Sequence, residues 1–319
     1  MKEILFVERY TALWETIERS LNARFKGGEA QHFPAQFRML CHHLSLAKHR
    51  QYSPQLVDRL NSLVIRAHSE FYQRNYNYRF QWLNFLLVDF PRAVRVNKYF
   101  ILIAALLFAL PLLASAIAAY FSEDFIYSIL KDEQLKQMEA LYDPTAEHLG
   151  RERASQTDVA MFGFYIYNNI GVGFRSFASG IVFGLGSIFF MIYNGLHIGG
   201  VAGHLSQLGY IETFYGFIAG HGSFELSAIV LCGGAGLRLG YTLLRPGSLP
   251  RIQALRASGR ESIAIVYGAM QMLIIAAFIE AFWSSSTSVP FAVKLAVGLF
   301  FWLVVLSYLL LAGRRFESE

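Results

Sequence analysis

The chain has 319 residues, 54% of them hydrophobic and only 16% charged, with a formal net charge of +5. A soluble globular domain carries about 25% charged residues, so this composition argues against one and for a protein embedded in a bilayer. The two cysteines, Cys41 in a polar stretch and Cys232 in an apolar one, exclude a disulfide framework.

Residues 1–98 read as a helical head. Phe6, Tyr10, Leu13, Trp14 and Ile17 recur at helical spacing up to Leu21, and Lys26-Gly27-Gly28 is expected to end that helix. A second helix is expected from Pro34 to Lys48. A third has Ser53 as N-cap, Pro54 at its first position and an apolar face of Leu56, Leu60, Leu63, Val64 and Ala67. A fourth, Tyr78–Val96, is rich in Phe, Trp and Leu. It is bent at Pro91 into Arg92, Arg95 and Lys98, as expected of an interfacial helix that feeds a first membrane span. Met1–Glu8 lacks the apolar core and cleavage site of a signal peptide, so that first span is expected to act as an internal signal-anchor.

Residues 99–315 are the transmembrane domain. Spans are expected at about 100–121, 174–193, 262–282 and 291–311, each near the ~20 residues that cross hydrocarbon. Charge sets the orientation. Residues 1–98 hold 15 Lys/Arg against 8 Asp/Glu, the 122–158 loop holds 4 against 9, and residues 238–260 hold five arginines and no acid. The positive-inside rule places the head and the arginine loop in the cytoplasm and residues 122–158 outside. The basic charge is therefore topological, and no nucleic-acid partner is expected. An odd number of crossings must separate residue 158 from the arginine loop. The 174–193 segment gives one, so 209–240 is read as a re-entrant pair of half-helices, because two full spans need about 40 residues.

The chemistry concentrates where that pair would meet, in Ala219-Gly220-His221-Gly222-Ser223-Phe224-Glu225. Ionisable residues at membrane depth are costly, so each is a candidate functional group. His221 and Glu225, four apart, share a helix face and form the candidate central polar site with Gly222 and Ser223. Such a pair suits acid–base work or ligand binding. The structural alternative has Ser223 capping the second half-helix, Glu225 in its first turn and His221 on a carbonyl freed by the break. Asn168, Asn169, Arg175, Arg238 and Glu280 are supporting candidates. Arg238 reads as a snorkelling anchor and Glu280, near Trp283, as an interface residue. His221-Gly-Ser-Phe-Glu225 is not a zinc-protease signature, and Cys41-His42-His43 has no second cluster with ligand spacing. No metal, cofactor or catalytic residue is expected. Small residues four apart, Gly180/Gly184, Gly195/Gly199/Gly203, Gly216/Gly220 and Gly236/Gly240, imply close helix packing, within the chain or across a homodimer.

Taken together, several stretches resemble the stage II sporulation protein M (SpoIIM) family of integral membrane proteins. These are Phe6-Val7-Glu8-Arg9, Tyr52-Ser53-Pro54, Phe90-Pro91-Arg92, Asn168-Asn169-Ile170, Tyr193-Asn194-Gly195-Leu196, His221-Gly222-Ser223-Phe224-Glu225, Gly234-Ala235-Gly236-Leu237-Arg238-Leu239-Gly240 and Phe278-Ile279-Glu280-Ala281-Phe282. The resemblance implies an all-α, polytopic protein of the bacterial inner membrane. The family's named member works in a complex with cell-wall-cutting enzymes, which implies a non-catalytic scaffold in cell-envelope machinery, with lipids, a second copy and envelope proteins as partners. A transporter or channel for a small solute, ion or lipid, using the His221/Glu225 break, is the alternative. An intramembrane hydrolase is the third reading.

Overall fold

A computed structural model of the chain describes residues 2–22, 33–73, 78–145, 158–286 and 288–314. Every regular element among them is a helix, so the all-α, polytopic expectation holds. The chain divides into two units, Met1–Leu83 and Asn84–Glu319. The Lys26-Gly27-Gly28 stop and residues 146–157 of the acidic loop lie outside the described residues.

The first unit contains α1 (Glu3–Asn22), α2 (Phe33–His49) and α3 (Pro54–Gln73), with α4 (Tyr78–Asn84) at its end. Its core is the apolar stripe read from the sequence: Phe6, Trp14, Ile17 and Leu21 against Leu40 of α2 and Leu56, Leu60, Leu63 and Ala67 of α3. Two polar contacts fix the register. The backbone N–H and the hydroxyl of Ser53, just before α3, donate to the Glu3 carboxylate at 2.9 and 2.5 Å, holding its pKa below the ordinary carboxylate value. Within the core, Trp14 Nε1–H donates to His43 Nδ1 at 3.2 Å. Since Nδ1 accepts, neutral His43 carries its proton on Nε2.

The second unit opens on a π-helical turn, Phe85–Asp89, which runs into α5 (Phe90–Val96) and α6 (Lys98–Phe121). Then come α7 (Asp132–Tyr142), α8 (Asp158–Ala178), α9 (Leu185–Gln207), α10 (Ile211–Ile218), α11 (Gly222–Leu244), α12 (Arg251–Ile279) and α13 (Phe291–Leu311). Among the described residues, five helices are long and apolar enough to cross a membrane: α6, α9, α11, α12 with its π-helical extension to Ser284, and α13. The 21-residue α8 has the length but carries Asn168, Asn169 and Arg175.

The return helix expected at 174–193 is two helices. The chain turns sharply at Ser179–Gly184, where Phe183 and Gly184 take left-handed backbone angles (φ 50° and 84°). Glycine adopts that conformation readily, and hydropathy cannot register it in an otherwise apolar run. The 209–240 segment is also unequal: α10 has eight residues, whereas α11 has 23 and is long enough to cross alone. Counting α8, α9 and α11 as crossings already gives the odd number that the charge pattern asks for. A re-entrant pair is no longer required.

The spaced glycines are used inside the chain. A Cβ at Gly195, Gly199 or Gly203 of α9 would run into the main-chain oxygens of Phe108, Leu112 and Ala116 of α6. Gly180 and Gly184 at the bend meet Gly236 and Gly240 of α11 in the same backbone-to-backbone way. Gly216 lies against Phe291, and Gly220 against the Trp283 ring. The two ends of this unit are also joined. Arg95 of α5 donates to the carbonyls of Ala312 (2.7 Å) and Leu309 (3.3 Å) at the end of α13, and Tyr308 O–H donates to Leu86 O. A cation at a helix C-terminus completes orphan carbonyls and suits the dipole.

Gly199→Ala is expected to cost about 1–3 kcal/mol by overpacking the α6–α9 seam. Gly259→Ala, on an open face of α12, should be neutral or stabilising. Melting temperatures of the detergent-solubilised variants check the contrast. In the head, burial first and His42 second hold the His43 imidazole below its ordinary 6.5. The folded head therefore prefers neutral His43. Its contribution is complete above pH about 6.5 and is lost as pH falls towards the folded value. Amide exchange in α1–α3 should accelerate, after correction for intrinsic rates, between pH 7.5 and 5.5, and a His43→Gln variant should lose that acceleration.

Candidate functional site

The break predicted from the glycines is present at Ala219–His221, between α10 and α11. It survives in an apolar unit because neighbouring elements pack directly on it. Gly298 of α13 lets that helix approach the Ala219 carbonyl, and Gly220 leaves room for Trp283. His221 is the N-cap residue of α11. Its carbonyl accepts from the N–H groups of Phe224 (3.0 Å) and Glu225 (3.1 Å), so Glu225 occupies the first turn, where the helix dipole favours a carboxylate.

Two details differ from the sequence reading. Ser223 is not the cap, since its buried hydroxyl has no hydrogen-bond partner. Nor does His221 bind a freed carbonyl. Its Nδ1 lies 3.0 Å from Ser284 Oγ, which turns Nε2 to Glu225 Oε2 at 3.7 Å. At that separation the carboxylate is beside the imidazole but beyond hydrogen-bond range, so Ser284 sets the orientation of the ring. Phe217 closes over the imidazole edge-on, with centroids 5.4 Å apart.

The third member comes from far along the chain. At Glu280 the regular turn of α12 gives way to a π-helical turn, Glu280–Ser284. A π-turn admits an extra residue and re-aims the side chains that follow. Here it delivers both Glu280 and Ser284 to the break. One ligand atom each from His221, Glu225 and Glu280 lie within 4.8 Å of one another. Buried Asn169 donates to Glu280 Oε2 at 3.5 Å, and Asn168 donates to Asn169 Oδ1 at 3.3 Å. Glu280 is thus a member of the site rather than an interface residue.

Glu225 and Glu280 face a partly open cavity of about 690 Å³ between α7, α8, α9, α10 and α11, also lined by Asn168, Asn169, Arg175, Asn194, His197 and Tyr142. His197 Nδ1 has no hydrogen-bond partner. Burial, with the nearby Glu280, Tyr165 and Glu225, pushes the Tyr142 phenol above its ordinary value and keeps it a hydrogen-bond donor. Of the supporting candidates, Asn168, Asn169, Arg175 and Glu280 are brought together. Arg238 is not: it lies about 20 Å further along α11 at 1.5 Å per residue, bonded to Asn97 and Glu261. Gly222 touches nothing with its missing Cβ.

Sequence reasoning missed Lys294. It is 3% exposed, and its ammonium donates to Ser284 O at 2.8 Å, behind the residue that orients His221. Its signal was legible: a lone charge in the otherwise apolar run Phe291–Leu311. Tyr142 carried no signal, being a tyrosine in a polar loop.

Residues 100–285, which take in the break, the bend and the π-helical turn, match the family model of stage II sporulation protein M. The chain belongs to the SpoIIM family. Residues 4–73, most of the head, match a second model, described as a domain of unknown function (DUF8413). No curated protein and no solved structure matches the chain. The SpoIIM match covers His221, Glu225 and Glu280 and ends before Lys294.

Two glycines of the break should respond differently to the same change. Gly220→Ala must displace the Trp283 ring and is expected to cost about 1–3 kcal/mol. Gly222→Ala should be tolerated, since open space surrounds it. Denaturation of both variants in one detergent, followed by tryptophan fluorescence, makes the comparison.

Proposed function

We propose that this SpoIIM-family membrane protein binds a small polar solute in the cavity of its transmembrane unit and presents or passes it across the inner membrane, with the head in the cytoplasm. The observation that carries the reading is a ~690 Å³ chamber in which Glu225 and Glu280 meet Arg175 and two asparagines. Chambers of about 300–1,000 Å³ suit small molecules, and ionisable groups at membrane depth mark ligand paths. Groups of both signs favour a solute that is itself zwitterionic. Transporters commonly place such sites where a helix is interrupted, as between α10 and α11.

A second reading, a non-catalytic scaffold in cell-envelope assembly that works with lipids, a second copy or envelope proteins, draws on the family resemblance and on the separate helical head. The two readings part at Glu225. With the protein in nanodiscs, a panel of amino acids and short peptides should include a solute that raises the melting temperature. A solute at 100 times its Kd stabilises by about 2.7 kcal/mol. Arg175→Gln and Glu225→Gln should remove that shift while the solute-free melting temperature is kept. A panel without effect on the wild-type protein would favour the scaffold.

A further inference from the structure

We propose that His221, Glu225 and Glu280 form a binding site for a divalent transition-metal ion, with Zn²⁺ the best-matched, at the wall of the cavity. The proposal rests on the cavity reading above and names what its two carboxylates hold.

The donor set is one imidazole and two carboxylates, which suits Zn²⁺ or Mn²⁺ and offers no thiolate for softer metals. The three donor atoms come from the start of α11 and the π-helical end of α12, and all lie within 4.8 Å of one another. Ligands on a tetrahedral zinc with bonds of about 2.0–2.1 Å stand about 3.3 Å apart. The 3.7 Å between His221 Nε2 and Glu225 Oε2 is close to that, and rotamer adjustment of the Glu280 carboxylate closes the remainder.

Independent observations point the same way. His221 is pinned through Nδ1 by Ser284 Oγ at 3.0 Å, so it is Nε2 that faces the carboxylates. Metal-ligating histidines ordinarily make an outer-shell hydrogen bond through their other ring nitrogen, and here a serine hydroxyl takes that place. Ser284 is itself fixed, its carbonyl accepting from buried Lys294. Glu280 likewise has an outer partner in Asn169. Finally, Glu225 and Glu280 both line the cavity, so an ion held there keeps an open side for water or a solute oxygen. A pair of carboxylates this close in an apolar surrounding repel each other, and a dication between them turns that repulsion into attraction.

The test uses the whole protein in nanodiscs, stripped with EDTA, reloaded with Zn²⁺ and desalted. About one zinc per chain is expected by elemental analysis. Glu225→Gln and Glu280→Gln should each lose it while staying monodisperse with the metal-free melting temperature of the wild type. Ser284→Ala, a positioning change, should keep the stoichiometry but weaken the affinity about tenfold in chelator competition. Where the glutamine variants fail to fold, X-ray absorption at the zinc edge of the wild type decides, with one imidazole and otherwise oxygen ligands expected. Wild-type protein that retains no zinc, folded glutamine variants that keep a full equivalent, or a spectrum with several imidazoles or sulfur would each overturn the site. The solute panel run on EDTA-stripped protein separates the two readings. A solute shift without zinc retention ends the metal proposal alone, whereas zinc retention without any solute shift supports the metal site and ends the solute reading.

Discussion

A polar group carried into hydrocarbon finds no water there, so its partner must come from the protein itself. The second unit is arranged around one place where that demand is acute. The break before α11 exposes backbone and brings an imidazole and a carboxylate with it. Three other elements answer: the π-helical end of α12 supplies Ser284 and Glu280, α8 supplies Asn169, and α13 supplies Lys294 from behind. The π-helical turn brings two side chains, Glu280 and Ser284, to one point.

What lets four elements reach that point is the absence of side chains elsewhere. α11 packs against α6, α8, α9, α12 and α13. It can do so because Gly233, Gly234, Gly236 and Gly240 bring neighbouring backbones or side chains to its surface. In a membrane, apolar contact with a neighbour gains little over contact with lipid, so shape fit and close approach carry the association. The glycine rows and the polar break are therefore one design: the rows hold the helices near enough for the break to be satisfied.

The sequence disclosed the parts that depend on local chemistry. Apolar runs, the amphipathic face of α3, the break at His221 and the candidacy of Asn168, Asn169 and Glu225 as polar groups at membrane depth all follow from residue type and spacing; that they meet does not. It misled where an apolar run hides a turn. Gly180, Gly184 and Gly186 sit among Phe, Ile and Leu, so 174–193 scored as one helix although the chain bends at 179–184. The expected return span starts only at 174 because Asn168, Asn169 and Arg175, which line the cavity, lower the hydropathy of α8. The sequence places Glu280 at an interface, because nothing in its neighbours announces a π-helical turn. Contacts across long separations, such as His221 with Ser284 and Arg95 with Ala312, have no local signature at all.

The bond from Arg95 to the end of α13 bears on the order in which the molecule is built. α5 and α6 leave the ribosome before α13, and the Ala312 and Leu309 carbonyls that Arg95 reaches lie at the end of α13. Translation thus supplies these two acceptors late, and this link across the second unit forms only when α13 has been laid beside α5.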